Sequence, residues 1–309
     1  MKIRSIVANV SCRIYSLLPS PKPRSVILIS GSPRGGTTWI AESVVASMKK
    51  SRLMWEPLQD GNPAVGGCSF SKRPFVKTSD LDLERKYPIN RKQEKFWDDL
   101  VGSKMWNAHT LRLRKYPGNC ALPFLNGPLV VKFVRGNGIV GYLHQTRSTK
   151  RPLVIIRNPY AVVASQLKMG PWNDHPHLDD KLVQLQPQLM RAFHKDSTLA
   201  ERLAITWAAD YLAAKENHDF INIYFYENLV KYPEQYADHI ASNISNEICP
   251  VKLLRSLKKP SSTVHEWTDL SSKEMTLNRW RMQLSENDIN LITNVLRECS
   301  IPPYEQLLD

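Results

Sequence analysis

Apolar positions along the chain fall into short continuous runs separated by stretches with helical spacing. The runs are Val26–Ile29, Leu53–Trp55, Leu129–Val134, Leu153–Ile156 and Phe220–Tyr226, rich in β-branched and aromatic side chains. Continuous rather than alternating apolarity is what strands covered on both faces require, as in parallel sheets. Between the runs the period changes. Ile40, Val44 and Met48 recur at i, i+4 and i+8 with Val45 alongside, which predicts a helix over Thr37–Lys49. Ala200, Leu203, Ala204, Trp207, Tyr211 and Ala214 form one apolar face of a helix over Leu199–Glu216. Helices are also expected near Arg91–Val101 and over Gly138–Thr146. Asn158 suits an N-cap and Pro159 the first helical position of a helix reaching about Lys168. Ser285 with Asp288 three residues on resembles a capping box, opening a last helix with Ile289, Ile292, Val295, Leu296 and Cys299 on its apolar face. Strands alternating with helices, without internal repeats, predict an α/β protein with a parallel sheet flanked by helices.

Two regions break this rhythm. Residues 1–24 are basic, weakly amphipathic and end in a Pro-rich linker; a packing or frayed helix and a membrane-surface helix both fit. Residues 60–126 hold Gly, Pro and many Lys and Arg, and read as a large insertion on the substrate side of a single domain spanning 25–309. A polar, Pro-broken tract, Lys258–Asn278, precedes Arg279-Trp280-Arg281.

Charge narrows the choice of partners. The 309 residues carry a net charge of +13, which favours an anionic partner: nucleotide, acidic glycan, nucleic acid or membrane surface. Cys12, Cys68, Cys120, Cys249 and Cys299 are odd in number and lack a C-x-x-C pair, which speaks against a disulfide framework or zinc site. No apolar run approaches the ~20 residues of a membrane span.

The chemistry begins at Ser25–Glu42, SVILISGSPRGGTTWIAE. A short strand, a Gly/Ser/Pro/Arg loop and a helix start are the parts that hold a phosphate, because free N–H groups and the positive dipole end converge there. Gly31 and Gly36 keep the G-x-x-x-x-G spacing of a nucleotide loop, but Thr37 and Thr38 stand where Lys and Ser/Thr would be. The cation sits inside the loop instead, at Arg34. The fold class is therefore a P-loop NTPase-like parallel sheet whose loop is poorly equipped for ATP or GTP hydrolysis. A second anion motif follows the fourth apolar run: Arg157 at the strand end and Ser165 eight residues later on the next helix.

Together these motifs resemble those of PAPS-dependent sulfotransferases (PAPS is 3′-phosphoadenosine 5′-phosphosulfate), in particular the carbohydrate-type and bacterial branch. SPRGGTTW resembles the 5′-phosphosulfate loop and RNPYAVVAS the 3′-phosphate motif. Tyr226-Glu227-Asn228-Leu229 is similar to the family's YE-x-L segment, and Trp280-Arg281 with Leu284-Ser285 to its cofactor-closing segment. The likeness spans about residues 25–300 and leaves 60–126 unmatched. It implies the sulfotransferase fold and PAPS as co-substrate without a metal. Arg34 would contact the phosphosulfate, and Gly35, Gly36, Thr37, Thr38 and Trp39 of the loop motif would surround the 5′-phosphate. Arg157 and Ser165 would bind the 3′-phosphate, and Arg281 would help close over the cofactor. By charge-stabilisation logic, Arg34 would also balance negative charge on the bridging oxygen as the sulfuryl leaves.

Transfer to a hydroxyl needs a general base. Glu42, on the first helix, matches the base position of the heparan sulfotransferases. Glu56, in WEPL after the second strand, resembles the Glu-Pro segment of the carbohydrate branch, and a Glu in about this place also serves the tyrosylprotein branch. Glu56 is the stronger candidate, because ligands of open α/β sheets bind outside the carboxyl ends of strands; Glu42 is second. His109 and His144 rank below both. His175 and His177, beside Asp179 and Asp180, read as a polar loop rather than a metal site. Trp55, Trp97, Trp106 and Trp172 are core or sugar-stacking residues. The expected activity is sulfuryl transfer from PAPS to a hydroxyl of an acceptor, a carbohydrate or glycolipid, by a cytoplasmic enzyme with no nucleic-acid partner. A kinase-like or NTPase-like P-loop protein and a non-enzymatic polyanion-binding protein are the alternatives.

Overall fold

Alternate residues of the first strand face opposite layers. Ile27 and Ile29 enter one core with Trp39, Ile40 and Val44, whereas Leu28 enters the other with Val140, Val163 and Leu203. In the computed structural model, which describes residues 22–59, 62, 73–80, 91–113, 115, 117–170, 178–262 and 277–308, that strand is the centre of the sheet. The five strands are β1 (Val26–Gly31), β2 (Arg52–Trp55), β3 (Leu129–Lys132), β4 (Leu153–Ile156) and β5 (Asn222–Phe225). All pair in parallel, in the order β2-β3-β1-β4-β5. Every residue of β2, β3 and β4 is buried, so continuous apolar runs mark strands covered on both faces.

Helices α1 (Thr37–Ser47), α9 (Pro233–Ile244) and α10 (Pro250–Leu257) cover one face. Helices α2 (Arg91–Val101), α3 (Val140–Arg147), α4 (Pro159–Met169), α7 (Leu199–Glu216) and α11 (Glu286–Glu298) cover the other. Short helices α5 (Asp180–Leu185), α6 (Gln188–Arg191) and α8 (Tyr226–Lys231) complete the set among the described residues. The chain leaves β1 towards β2 and later crosses to β4 on the other side. The strand order therefore reverses beside β1, and the loops after β1 and β4 flank the crevice at their carboxyl ends.

Several elements match the sequence pattern to the residue: β4, α2 and α7. Others differ. The Phe220–Tyr226 run yields a strand only over Asn222–Phe225, and Tyr226 and Glu227 open helix α8 instead. The run Leu129–Val134 is strand only as far as Lys132. Region 60–126 is in part core: Phe75, Phe96, Trp97, Leu100, Trp106 and Leu111 are buried against the β1–β3 side. It also covers the sheet edge, where the Trp55 N–H donates to the Thr110 carbonyl at 2.9 Å. Trp97, Trp106 and Trp55 are core residues; Trp172 lies outside the described residues. So do the N-terminal segment to residue 21, His175, His177 and the stretch 263–276. Among the described residues no helix is long and apolar enough to cross a membrane.

Candidate active site

The loop after β1 is closed by a turn. The Gly35 N–H donates to the Ser32 carbonyl at 2.9 Å, with Pro33 second and Arg34 third in the turn. Arg34 has φ 68°, the left-handed value that a type II turn demands at its third position, where glycine or asparagine is the rule. Its side chain is held as well: Nε donates to Ser165 Oγ at 3.0 Å. Gly36 follows at φ 93° and provides the N-cap of α1 without a side-chain hydrogen bond, so the first-turn N–H groups keep their capacity for an anion. A Cβ at Gly36 would stand 2.7 Å from the Tyr226 ring, and one at Gly31 2.6 Å from the Ile155 carbonyl. Only glycine fits at either place. Thr37 is buried and Thr38 half-buried on the first turn of α1. Trp39 is buried beneath it: its indole N–H faces the carbonyls of Leu257 (3.2 Å) and Lys259 (3.1 Å), and its ring packs edge-on against Tyr226.

The second motif meets this loop directly. Asn158 caps α4, its side chain accepting from the Ala161 N–H, with Pro159 next. Arg157, just before the cap, donates from Nη1 to the Arg34 carbonyl at 3.0 Å, and its guanidinium lies 4.6 Å over the Tyr226 ring. Its Nε is buried without a hydrogen-bond partner among the described residues. Burial and the Arg157 charge both push the Arg34 guanidinium below its ordinary value. Two guanidinium groups packed together beside the open start of α1 make a site that favours an anion. In the first turn of α4, Tyr160 stacks on Trp280 at 4.8 Å, and the exposed Arg281 lies 4.5 Å over that indole. Arg281 therefore sits beside the Arg157 motif.

The carboxylates separate. Glu56 directly follows β2 at φ 38°, its N–H donating to the Lys132 carbonyl at 2.8 Å. Its carboxylate takes the Lys132 ammonium, which is 2% exposed on the neighbouring strand. Burial pushes Lys132 below the ordinary lysine value and the Glu56 charge opposes that in part. Arg112 lies 4.1 Å over the Trp55 ring, and His109 Nε2 lies 3.2 Å from the Glu56 carbonyl. Glu42, by contrast, accepts the Ser262 N–H at 2.9 Å and the Ser262 hydroxyl. His144 faces the Thr149 carbonyl at 2.8 Å, a local contact just past the end of α3. Register aligns Trp55 with Lys132 and Lys132 with Ile29. Glu56 and the Arg34 loop thus both leave strands at the carboxyl end of the sheet, with β3 between β2 and β1. Lys132 lies on the strand between them. It escaped sequence reasoning, although a lysine inside LVVKFV is a buried charge that demands a partner.

No protein-family model matches this chain, and no curated protein matches it. Among solved structures it is similar to the sulfotransferase domain from the curacin biosynthetic pathway at 15% identity, with 91% of this chain and 99% of that one covered, at a TM-score of 0.42. It is also similar to the mouse sulfotransferase SULT7A1 complexed with PAP, at 12% identity, with 98% and 94% covered and a TM-score of 0.41. Overlap at these TM-scores assigns neither a family nor a reaction to the chain, and the functional reading rests on the side chains above.

Proposed function

We propose that the protein transfers the sulfuryl group of PAPS to a hydroxyl of a carbohydrate or glycolipid acceptor. The observation that carries this reading is the junction of the two anion motifs, through the Arg34–Ser165 hydrogen bond and the Arg157–Arg34 carbonyl contact. A nucleotide with phosphates at both ends of its ribose is the ligand such a junction suits. PAPS has no β/γ-phosphates to be met by the lysine the loop lacks, which weighs against the kinase-like reading.

In this mechanism the loop N–H groups and Thr37 and Thr38 take the 5′-phosphate, and Arg157 and Ser165 the 3′-phosphate. Glu56 removes the acceptor's proton as its oxygen bonds to sulfur. The bond from sulfur to the bridging phosphate oxygen breaks, and Arg34 balances the charge left on that oxygen. Lys132 supplies Glu56 with a counter-charge from beneath. Glu42, engaged with Ser262, is the second candidate for the base.

Single-turnover transfer from radiolabelled PAPS to a panel of hydroxyl acceptors tests this reading and identifies the acceptor. Glu56→Gln should lower turnover by on the order of 10²–10⁴-fold with PAP binding intact. Glu42→Gln should leave the rate near that of the unaltered protein. The opposite pattern would transfer the base role to Glu42.

A further inference from the structure

Glu227 is the one charged residue of the Tyr226–Leu229 segment, and the mechanism above does not use it. It is 6% exposed. One carboxylate oxygen, Oε1, accepts the Asn158 N–H at 3.1 Å. The other, Oε2, accepts the hydroxyl of Tyr304, a buried residue of the C-terminal turn Tyr304–Leu307. The carbonyl of the same peptide unit, that of Arg157, accepts the Trp207 indole N–H at 2.9 Å. The Arg157–Asn158 peptide is thus held at both polar ends. The Tyr304 ring is fixed in turn, edge-on to Trp207 and Phe225.

We propose that Glu227 and Tyr304 are positioning residues for the anion site at Arg157. Glu227 sets the peptide from which the arginine side chain departs, and Tyr304 sets Glu227. Neither residue touches the ligand. A hydrogen-bonded carboxylate in a dry site is rigid, because releasing any of its contacts leaves a buried polar group unpaired. A C-terminal segment remote in sequence thereby governs how well the site discriminates in favour of a 3′-phosphate. This inference rests on the reading of Arg157 as the cation for that phosphate.

The test compares two nucleotides that differ in that one group. PAP and adenosine 5′-monophosphate are titrated into the full chain by calorimetry, in the unaltered protein and in Tyr304→Phe, Glu227→Gln, Arg157→Ala and the Arg157→Ala/Tyr304→Phe pair. The unaltered protein should prefer PAP. Tyr304→Phe should weaken PAP by about ten-fold and the monophosphate by less than about two-fold, as loss of one hydrogen bond to a carboxylate implies. Glu227→Gln, which keeps an acceptor for the Asn158 N–H, should lose less than Tyr304→Phe. In the Arg157→Ala background Tyr304→Phe should have no further effect on PAP, because the group it positions is gone. Equal losses for both nucleotides, or an undiminished effect of Tyr304→Phe without Arg157, would reduce the pair to a merely structural role and overturn the proposal. Absence of a PAP preference in the unaltered protein would instead remove the reading of Arg157, and this inference with it.

Discussion

Lys132 shows how one residue connects packing to chemistry. Its ammonium is buried at the end of β3, where an unpaired charge would be prohibitively unfavourable, and the Glu56 carboxylate answers it from β2. Burial pushes its pKa below the ordinary lysine value. The sign follows: as pH rises through that lowered value, the folded protein sheds the proton before an unfolded chain would. In that window the fold gains stability with pH, while Glu56 loses its counter-charge. The pH–rate profile should therefore fall on the alkaline side before an ordinary lysine titrates, and Lys132→Arg should remove that fall wherever it retains activity. An alkaline limb unchanged in Lys132→Arg would separate Lys132 from the reaction. The sequence displayed both Glu56 and Lys132 but could not pair them. Residues 56 and 132 meet only because β3 returns to the sheet between β1 and β2, and no local pattern specifies that order. Glu42 posed the converse problem. Its spacing from the loop suits a base, yet its carboxylate is engaged by Ser262, 220 residues away.

At the scale of the element, the loop after β1 is a device for presenting one cation. Pro33 presets the second position of its turn, and Arg34 occupies the third at φ 68°. A non-glycine residue there costs roughly 1 kcal/mol and persists because the side chain is wanted. Arg34→Gly separates the two demands. Its melting temperature should correspond to a stability within about 1 kcal/mol of the unaltered protein, since relief of strain offsets the added freedom of the unfolded chain. Its turnover should fall on the order of 10²-fold, more than its affinity for PAP. A large loss of stability, or turnover unaffected, would contradict this account of the turn. The loop was legible because glycine spacing and an apolar strand are local signals. Helix α7 was legible because its apolar face persists from Ala200 to Ala214, and α2 because Phe96, Trp97 and Leu100 fall on one side of its second half. Helix α8 was not: FINIYFY has strand composition to its end, and Tyr226 and Glu227 leave the strand to meet Arg157 and Asn158. Helix α9 carried a signal that went unread, with Pro233 at its start and Ala237, Ile240, Ala241 and Ile244 on one buried face.

For the molecule as a whole, the sheet order brings four separate stretches of chain to the carboxyl end of the sheet. The strand reversal beside β1 sets the Arg34 loop against Arg157 and Ser165, while β3 carries Lys132 across to Glu56. The parallel α/β class was legible from alternating elements, and both anion motifs from their residues. Their mutual contact, and the way region 60–126 splits between core packing and edge cover, depend on tertiary structure that no window of sequence contains. The central claim is that the junction grips a nucleotide phosphorylated at both ends without help from a metal. Thermal unfolding in the presence of EDTA, with PAP, ATP or heparin added, and ATP repeated with Mg²⁺, tests it most directly. Saturating PAP alone should raise the midpoint by several degrees, as binding at about 100 times Kd stabilises a fold by roughly 2.7 kcal/mol. Stabilisation by ATP with Mg²⁺ or by heparin, with PAP inert, would contradict it.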